Sequence, residues 1–417
     1  MRKNRKRINA MKRIGCFALV GLMAGFVGSR SVIAQKVTSE EPAGYLVFPK
    51  VVVDVSGALA GIPRDTVIRI TNTDTSPRIV HCFYVDGTPR CSAGGGLDGD
   101  GACRNNEDCD AGGICSLTSC QVVNFDLTLT PGQPVGWRAS EGVLTTGICQ
   151  GTAAGLPCSV DADCGTGNTC TQLNTSDFGR VPPLAPGIFQ GELKCVQVDR
   201  TTDIVNGPGT PVNRNDLIGT VSIYSVDSGT VDVQSYNAIG IQAASTDGST
   251  QNDTSMVLGG SGAEYAGCSA QVVVNHFFDD ANVAGRNVQS EITLVPCSER
   301  LELDTISPFA TQLQMLVYNE FEQRFSTSTS LRCFRQTRLS NLDRRPGQEP
   351  TSIFNVAVQG TLGGQTVIRP VLNGNGNPGN GVLAVVEEFH RTGGTLRSAA
   401  FNVHWRGTKT QADTVSY

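Results

Sequence analysis

The chain has 417 residues, with 38 acidic against 33 basic side chains and 15 cysteines. That length allows two or three domains, each with a sizeable core. Much of the basic charge sits in residues 1–34, which carry eight basic residues (Arg2, Lys3, Arg5, Lys6, Arg7, Lys12, Arg13, Arg30) and no acidic ones. Subtracting those eight from 33 leaves 25 basic against 38 acidic residues, a net charge of −13, beyond residue 34. A surface of that sign excludes nucleic acid, whose binding rests on phosphate neutralisation, and anionic membrane surfaces; it leaves room for cations.

The first segment reads as a secretory signal peptide. MRKNRKRINAMKR is a basic leader, IGCFALVGLMAGFVG is an apolar run, and Val32 and Ala34 occupy the small-residue positions of a cleavage site, so the cut is expected after Ala34. The apolar run is shorter than the roughly 20 residues a membrane span needs. Cys16 begins that run instead of following it, which argues against lipid attachment. No other segment is long and apolar enough to be a transmembrane helix. The mature chain is therefore expected to be exported, to the periplasm, the cell surface or the medium.

Beyond the leader, helical periodicity is almost absent, and short runs rich in Val, Ile, Thr and Tyr alternate with Gly, Pro, Asn and Asp. In TVIRIT, Ile68 and Ile70 share one face; in FDLTLT, Phe125, Leu127 and Leu129 do. This period of two predicts half-buried antiparallel strands. GTLGGQTVIRPV is expected to be a hairpin turning on Gly363-Gly364, where positive φ is tolerated, and NGNGNPGNG a hairpin tip. The fold class predicted is all-β: two β-sandwich domains, Ig-like or jelly-roll-like, with disulfide-rich loop insertions in the first. A closed eight-stranded barrel is the alternative.

A faint internal echo supports two domains. DTVIRITNTDTSPRIVHCF (65–83) gives strand, Asn72, polar turn, strand and Cys82-Phe83; TQLQMLVYNEFEQRFSTSTSLRCF (311–334) gives strand, Asn319, polar stretch, strand and Cys333-Phe334. The expected domains are 35–243 and 256–417, with the polar stretch 244–255 as linker or long loop.

Eight of the 14 cysteines beyond the leader fall into two copies of one spacing. Cys91, Cys103, Cys109 and Cys115 form the first; Cys149, Cys158, Cys164 and Cys170 form the second. The copies read NEDCDAGGIC and DADCGTGNTC around their third cysteine. This motif resembles the short Cys-rich repeats, with an [N/D]-x-D-C … G-x-x-C core, of secreted and surface proteins of bacteria, and is similar to the cysteine-rich region of the Dickkopf proteins. The remainder, in phrases such as VHCFYVDG, WRASEG, SYNAIGIQ and NEFEQRFSTS, resembles uncharacterised exported bacterial β-sandwich proteins. The resemblance implies a small disulfide-stapled knuckle and no activity. Each module, 91–120 and 149–170, lacks apolar side chains for a core of its own, so cross-links must hold it. Of the other cysteines, Cys82 is expected to pair with Cys195 and Cys297 with Cys333. Zinc is the rival reading, but no C-x2-C pair is present and the compartment is oxidising.

The first module also raises calcium. LDGDGACRNNEDC fails as an EF-hand: counted from Asp98, the obligatory Gly is Cys103 and the terminal Glu is Cys109. A looser Ca2+ site, similar to thrombospondin type-3 repeats, would draw on Asp98, Asp100, Asp108 and Asp110, with Asn105 or backbone carbonyls completing the shell. The second module offers only Asp161 and Asp163. The plain alternative is that Asp and Gly form turns on a solvated loop.

Four histidines, His81, His276, His390 and His404, each adjoin apolar or aromatic residues. Were they to converge with Asp280 or Glu388 they could bind copper, zinc or iron, although no two have chelating spacing. No nucleophile elbow or H-E-x-x-H motif occurs, and the pairs Asp279-Asp280 and Glu387-Glu388 place neighbours on opposite strand faces, a poor acid/base arrangement. The function expected is a non-catalytic structural or adhesive surface protein. The alternative is a Ca2+-dependent binding module for a glycan or cell-surface polymer, with Trp137 as a stacking platform, and a third is a histidine-site metalloenzyme.

Overall fold

The strand Tyr45–Val53, YLVFPKVVV, is buried along its whole length, and the sheets are arranged around it. The computed structural model of the protein describes residues 36–98, 101–117, 120–143, 147–151, 157–158, 161–172, 181–199, 209–227, 229–251, 253–301, 310–343, 352–371 and 379–417. Among these the structure is nearly all β, with one α-helical turn at Val356–Gln359. Among the described residues, no helix is long and apolar enough to cross a membrane. Residues Gln35–Tyr417 form one compact unit.

In the first half, Tyr45–Val53 lies within a seven-stranded antiparallel sheet that also holds Arg78–Asp86, Gln121–Leu129 and Phe189–Asp199. A four-stranded sheet is built from Thr230–Asn237, Leu217–Asp227, Arg64–Asn72 and Pro134–Arg138 in that order. One core cluster draws on both, including Phe48, Ile68, Ile70, Tyr84, Leu127 and Val221. The alternation expected for TVIRIT (66–71) and FDLTLT (125–130) is present within the strands Arg64–Asn72 and Gln121–Leu129, with Ile68, Ile70, Phe125, Leu127 and Leu129 all buried.

In the second half, a five-stranded sheet orders Arg324–Leu331, Thr311–Asn319, Gly363–Pro370, Ser269–Phe277 and His404–Thr408. Another contains Arg286–Pro296, Val382–Thr392 and Thr395–Asn402. Val274, Ile292, Met315, Ile368 and Val386 join them in a second core cluster. A third cluster unites residues from both halves: Tyr45, Val47, Phe83 and Val196 with Met256, Val295, Leu383 and Val415. The seven-stranded sheet is thus covered on both faces, which is why its central strand is apolar almost throughout.

One irregularity matters below. The pairing of Phe189–Asp199 with Tyr45–Val53 shifts register between Gly191 and Leu193. Leu46 and Phe48 enter the first core cluster and then, with parity changed, Val51 and Val53 do. Pro49 and Lys50 occupy this bulge, a device that re-aims a side chain.

Three expectations about local structure need correction or placement. Gly363 and Gly364 do not make a hairpin turn; they open the strand Gly363–Pro370, Gly364 pairing with His276 and Asn319. Gly364 is required for close approach, since a Cβ there would lie 2.3 Å from the Phe278 ring and 2.8 Å from the Tyr318 carbonyl. The stretch 244–251 is tied to 211–213 through Asn213 N to Ser249 O and Gln251 N to Pro211 O, each at 2.9 Å or less. Most of the expected NGNGNPGNG tip falls outside the described residues.

Candidate functional site

The first cysteine module is a crossed pair of disulfides, Cys91–Cys109 and Cys103–Cys115. A short antiparallel ladder pairs Arg90–Cys91 with Cys115–Ser116, and a 3-10 turn follows Asn105. Bonded sulfurs are not thiolates, so although Cys91, Cys103 and Cys109 lie within ligand distance of one another, they have no zinc-binding form here.

The module's carboxylates are engaged locally. Asp98 Oδ1 accepts from Ala102 N at 2.8 Å, and its Oδ2 accepts from Ile188 N at 2.9 Å, pinning the module to the body. Asp108 closes a capping box with Asn105 and accepts from Arg104 N, Nε and Nη2. These hydrogen bonds from Arg104 hold the Asp108 carboxyl well below its ordinary range. Asp110 is exposed beside Gly94, and Asp100 lies outside the described residues. Among the described residues, Asp98, Asp108 and Asp110 are not gathered into one metal-sized cluster.

The second module repeats the pairing of first with third cysteine, Cys149–Cys164. Cys170 is also disulfide-bonded; the side chains of Cys158 and Asp163 lie outside the described residues. Asp161 Oδ1 accepts from Cys170 N at 2.6 Å, another turn role for an aspartate.

The histidines stay apart. His81 Nδ1 lies 2.6 Å from Asp126 Oδ1 on the neighbouring strand, and its ring packs edge-on against Phe83. His276 is buried between Thr366 Oγ1 at 2.8 Å and the Phe277 carbonyl at 3.0 Å. Burial pushes its pKa down to about 4. His390 Nε2 is 3.6 Å from Glu388 Oε2, and His404 is exposed opposite Val273. No histidine enters a three-ligand group among the described residues. Asp280 Oδ2 accepts from Asn355 Nδ2 at 2.6 Å.

Cys82–Cys195 forms across paired strands, as expected. The pairing of Cys297 with Cys333 is not found: Cys297 bonds Cys268, and Cys333 bonds Cys120. Spacing placed Cys297 and Cys333 in one domain but carried nothing about which strands meet. Trp137 is no stacking platform either. It is buried in the first core, edge-on to Phe125, and donates through Nε1 to Tyr84 Oη at 2.7 Å.

The charged residues that sequence reasoning missed are buried between the two halves. Lys50 is fully buried and hydrogen-bonds Glu387, which also accepts from Arg64 Nη2 at 2.9 Å. Lys194 donates to Glu192 at 2.9 Å and to Glu299. Burial lowers the Lys194 pKa, but Glu192 and Glu299 outweigh it and hold the ammonium above its ordinary value. Burial raises Glu192. Tyr45 Oη, Tyr265 Oη, Glu192 Oε2 and Glu299 Oε1 are buried here with no hydrogen-bond partner among the described residues. A Lys in an apolar run, and a Glu that follows the run VLAVV, were the only sequence signals.

The outer face of the four-stranded sheet carries an apolar groove of about 450 Å³, bordered by Val55, Val67, Tyr224, Val226 and Val231, with Asp65 and Arg138 at its side. Val231 is 56% exposed and Val55 48%, so this face offers an apolar contact surface. A shallower groove of about 650 Å³ runs beside His276, with Tyr318, Glu320, Glu322 and Glu388.

No protein-family model matches the chain, and none of the curated proteins does. Among solved structures, the CupB6 tip adhesin from Pseudomonas aeruginosa is similar at 10% identity, covering 90% of this chain and 99% of that one. The TM-score is 0.12, too low to carry an argument about fold or function.

Proposed function

We propose that this is a non-catalytic structural or adhesive protein of the exported compartment, built as two β-sandwiches that display the disulfide modules from the first. The observation that supports it best is where the disulfides lie. Cys82–Cys195, Cys120–Cys333 and Cys268–Cys297 brace the interior in addition to the modules. Such bonds persist in oxidising compartments and are rare in the cytosol. The residues that could do chemistry are instead employed in structure: His276 is satisfied on both ring nitrogens, and Asp98 and Asp108 close turns. In this reading the partner is a cell-surface polymer or protein, and the valine-lined groove is the first surface to examine.

Fractionation of producing cells with thiol alkylation before lysis tests the compartment. The reading expects the chain outside the cytoplasm with its cysteines protected; a cytoplasmic chain with alkylated cysteines overturns it. Residues 35–417 immobilised on beads, offered isolated cell-wall polysaccharide and purified surface protein, then separate the adhesive role from the structural one. Retention that is weakened by Val231→Asp identifies the groove as the contact.

A further inference from the structure

The bulge in Tyr45–Val53 delivers Lys50 to the second half of the chain. Tyr236 Oη fixes the Lys50 backbone, accepting from its N at 3.0 Å and donating to its O at 2.5 Å. The amine is fully buried and hydrogen-bonds Glu387 Oε2; Glu387 is buried too, on Val382–Thr392. Its other oxygen, Oε1, accepts from Arg64 Nη2 at 2.9 Å, and Glu291 Oε2 stands 3.7 Å from Lys50 Nζ. We propose that Lys50 and Glu387 condense into an intramolecular isopeptide bond, a covalent tie between residues 337 positions apart.

Each requirement of that reaction is met by a named group. The nucleophile must be a free amine. Burial, with Arg64 beside it, holds Lys50 well below the ordinary lysine range. The carboxyl carbon needs its developing oxyanion stabilised, and Arg64 already donates to Oε1, the oxygen that the amide keeps. A proton carrier must stand beside the nitrogen; Glu291 is the nearby carboxylate, its side chain 21% exposed while the reacting pair is buried. Water must leave, and two cavities, of about 280 and 250 Å³, are both bordered by Arg64 and Glu291.

The balance is that of a simple dehydration. Lys50 first gives one proton to Glu291 and attacks as the neutral amine. The Nζ–Cδ bond forms, the Cδ–Oε2 bond breaks, and Oε2 leaves as water with that proton, returned by Glu291, and one of the two amine protons; the other stays on the amide nitrogen. No oxidant or co-reactant is required. In water this condensation is unfavourable, but two groups fixed in contact by a folded body can reach effective molarities on the order of 10⁵ M or more. The product also replaces a buried amine and a buried carboxylate by one neutral amide, and leaves Arg64 and Glu291 as a balanced pair.

The second buried lysine lacks this arrangement. Lys194 is held charged between two carboxylates, and no cation donates to the free oxygen of Glu299. It should remain an ion pair and serves as an internal control.

The test is intact-mass measurement of residues 35–417 after complete reduction and unfolding, followed by trypsin digestion and fragmentation. The expected result is a deficit of one water molecule and a cross-linked peptide in which Lys50 is uncut and joined to Glu387. Lys50→Ala restores the full mass less only the substitution, and Glu291→Gln leaves a fraction uncondensed. A wild-type chain of full mass overturns the proposal, and so does a deficit mapped to Lys194 and Glu299. Equal condensation in Glu291→Gln removes Glu291 from the reaction.

Discussion

Cys120 and Cys333 stand 213 residues apart in sequence and are joined by a disulfide, with their Cα atoms 6.4 Å apart. The bond fastens the start of Gln121–Leu129 to the segment leading into Arg335–Arg338. Phe334, next to it, seats over Gly87, where a Cβ would come within 2.4 Å of the ring. Removing the cross-link relaxes the unfolded chain most where the loop closed is long. The double variant Cys120→Ser/Cys333→Ser is expected to lose about 2–5 kcal/mol in urea unfolding with the other disulfides intact. An unchanged midpoint would show that the tie adds nothing to packing already present.

Asp98 acts as an anchor. It satisfies the amide of buried Ala102 inside the first module and that of Ile188, 90 residues away, outside it. Asp98→Ala strands both amides and is expected to cost about 1–3 kcal/mol for a donor left buried and unpaired. Adding calcium to the wild-type chain should leave the melting temperature unmoved, since Asp98 and Asp108 already spend oxygens on fixed N–H donors. A rise with calcium that Asp98→Ala abolishes would restore the ion to this loop.

What could be seen in advance follows a physical divide. Patterns set by a residue's near neighbours were legible: the period of two in 64–72, the repeated cysteine spacing, and the two asparagines of the internal echo. Asn72 and Asn319 do end strands and shape the turns that follow, Asn72 Oδ1 accepting from Asp74 N and Asn319 Oδ1 from Phe321 N. Gly363-Gly364 misled because glycine serves both a turn and a close approach, and only the partner, Phe278, decides which. Lys50 and Glu387 gave no local sign of meeting. The bulge that aims Lys50 is defined by the strand across from it, and a buried charge is legible only when its counter-ion is.

Lys194 tests how the buried charges contribute. Without the ammonium, Glu192 and Glu299 face each other inside the core, and among the described residues no other cation forms an ion pair with either. Lys194→Met is expected to destabilise by about 3–5 kcal/mol, the cost of breaking a buried pair from one side. Replacing both carboxylates as well, in Lys194→Met/Glu192→Gln/Glu299→Gln, should recover a large part of it. Equal losses in the single and triple variants would assign the effect to packing and not to charge.

His276 sets the acid side of the stability profile. The Phe277 carbonyl can only accept, so Nδ1 carries the proton and Nε2 accepts from Thr366 Oγ1; the ring is neutral in the fold. Its folded pKa, about 4, lies below the 6.5 of an exposed histidine because burial disfavours the cation. The stabilisation from this depressed pKa is fully present above about pH 6.5 and is lost as the pH falls toward 4, for a total of about 3 kcal/mol at most. Carboxylates titrate in the same window, so the readout is a difference. Urea midpoints of wild type and His276→Gln, followed from neutral pH downward, should converge, because only in the wild type does unfolding release a histidine that takes up a proton over this range. Parallel curves would mean that His276 protonates in place without penalty, and that the site around Thr366 opens to water before the sheet does.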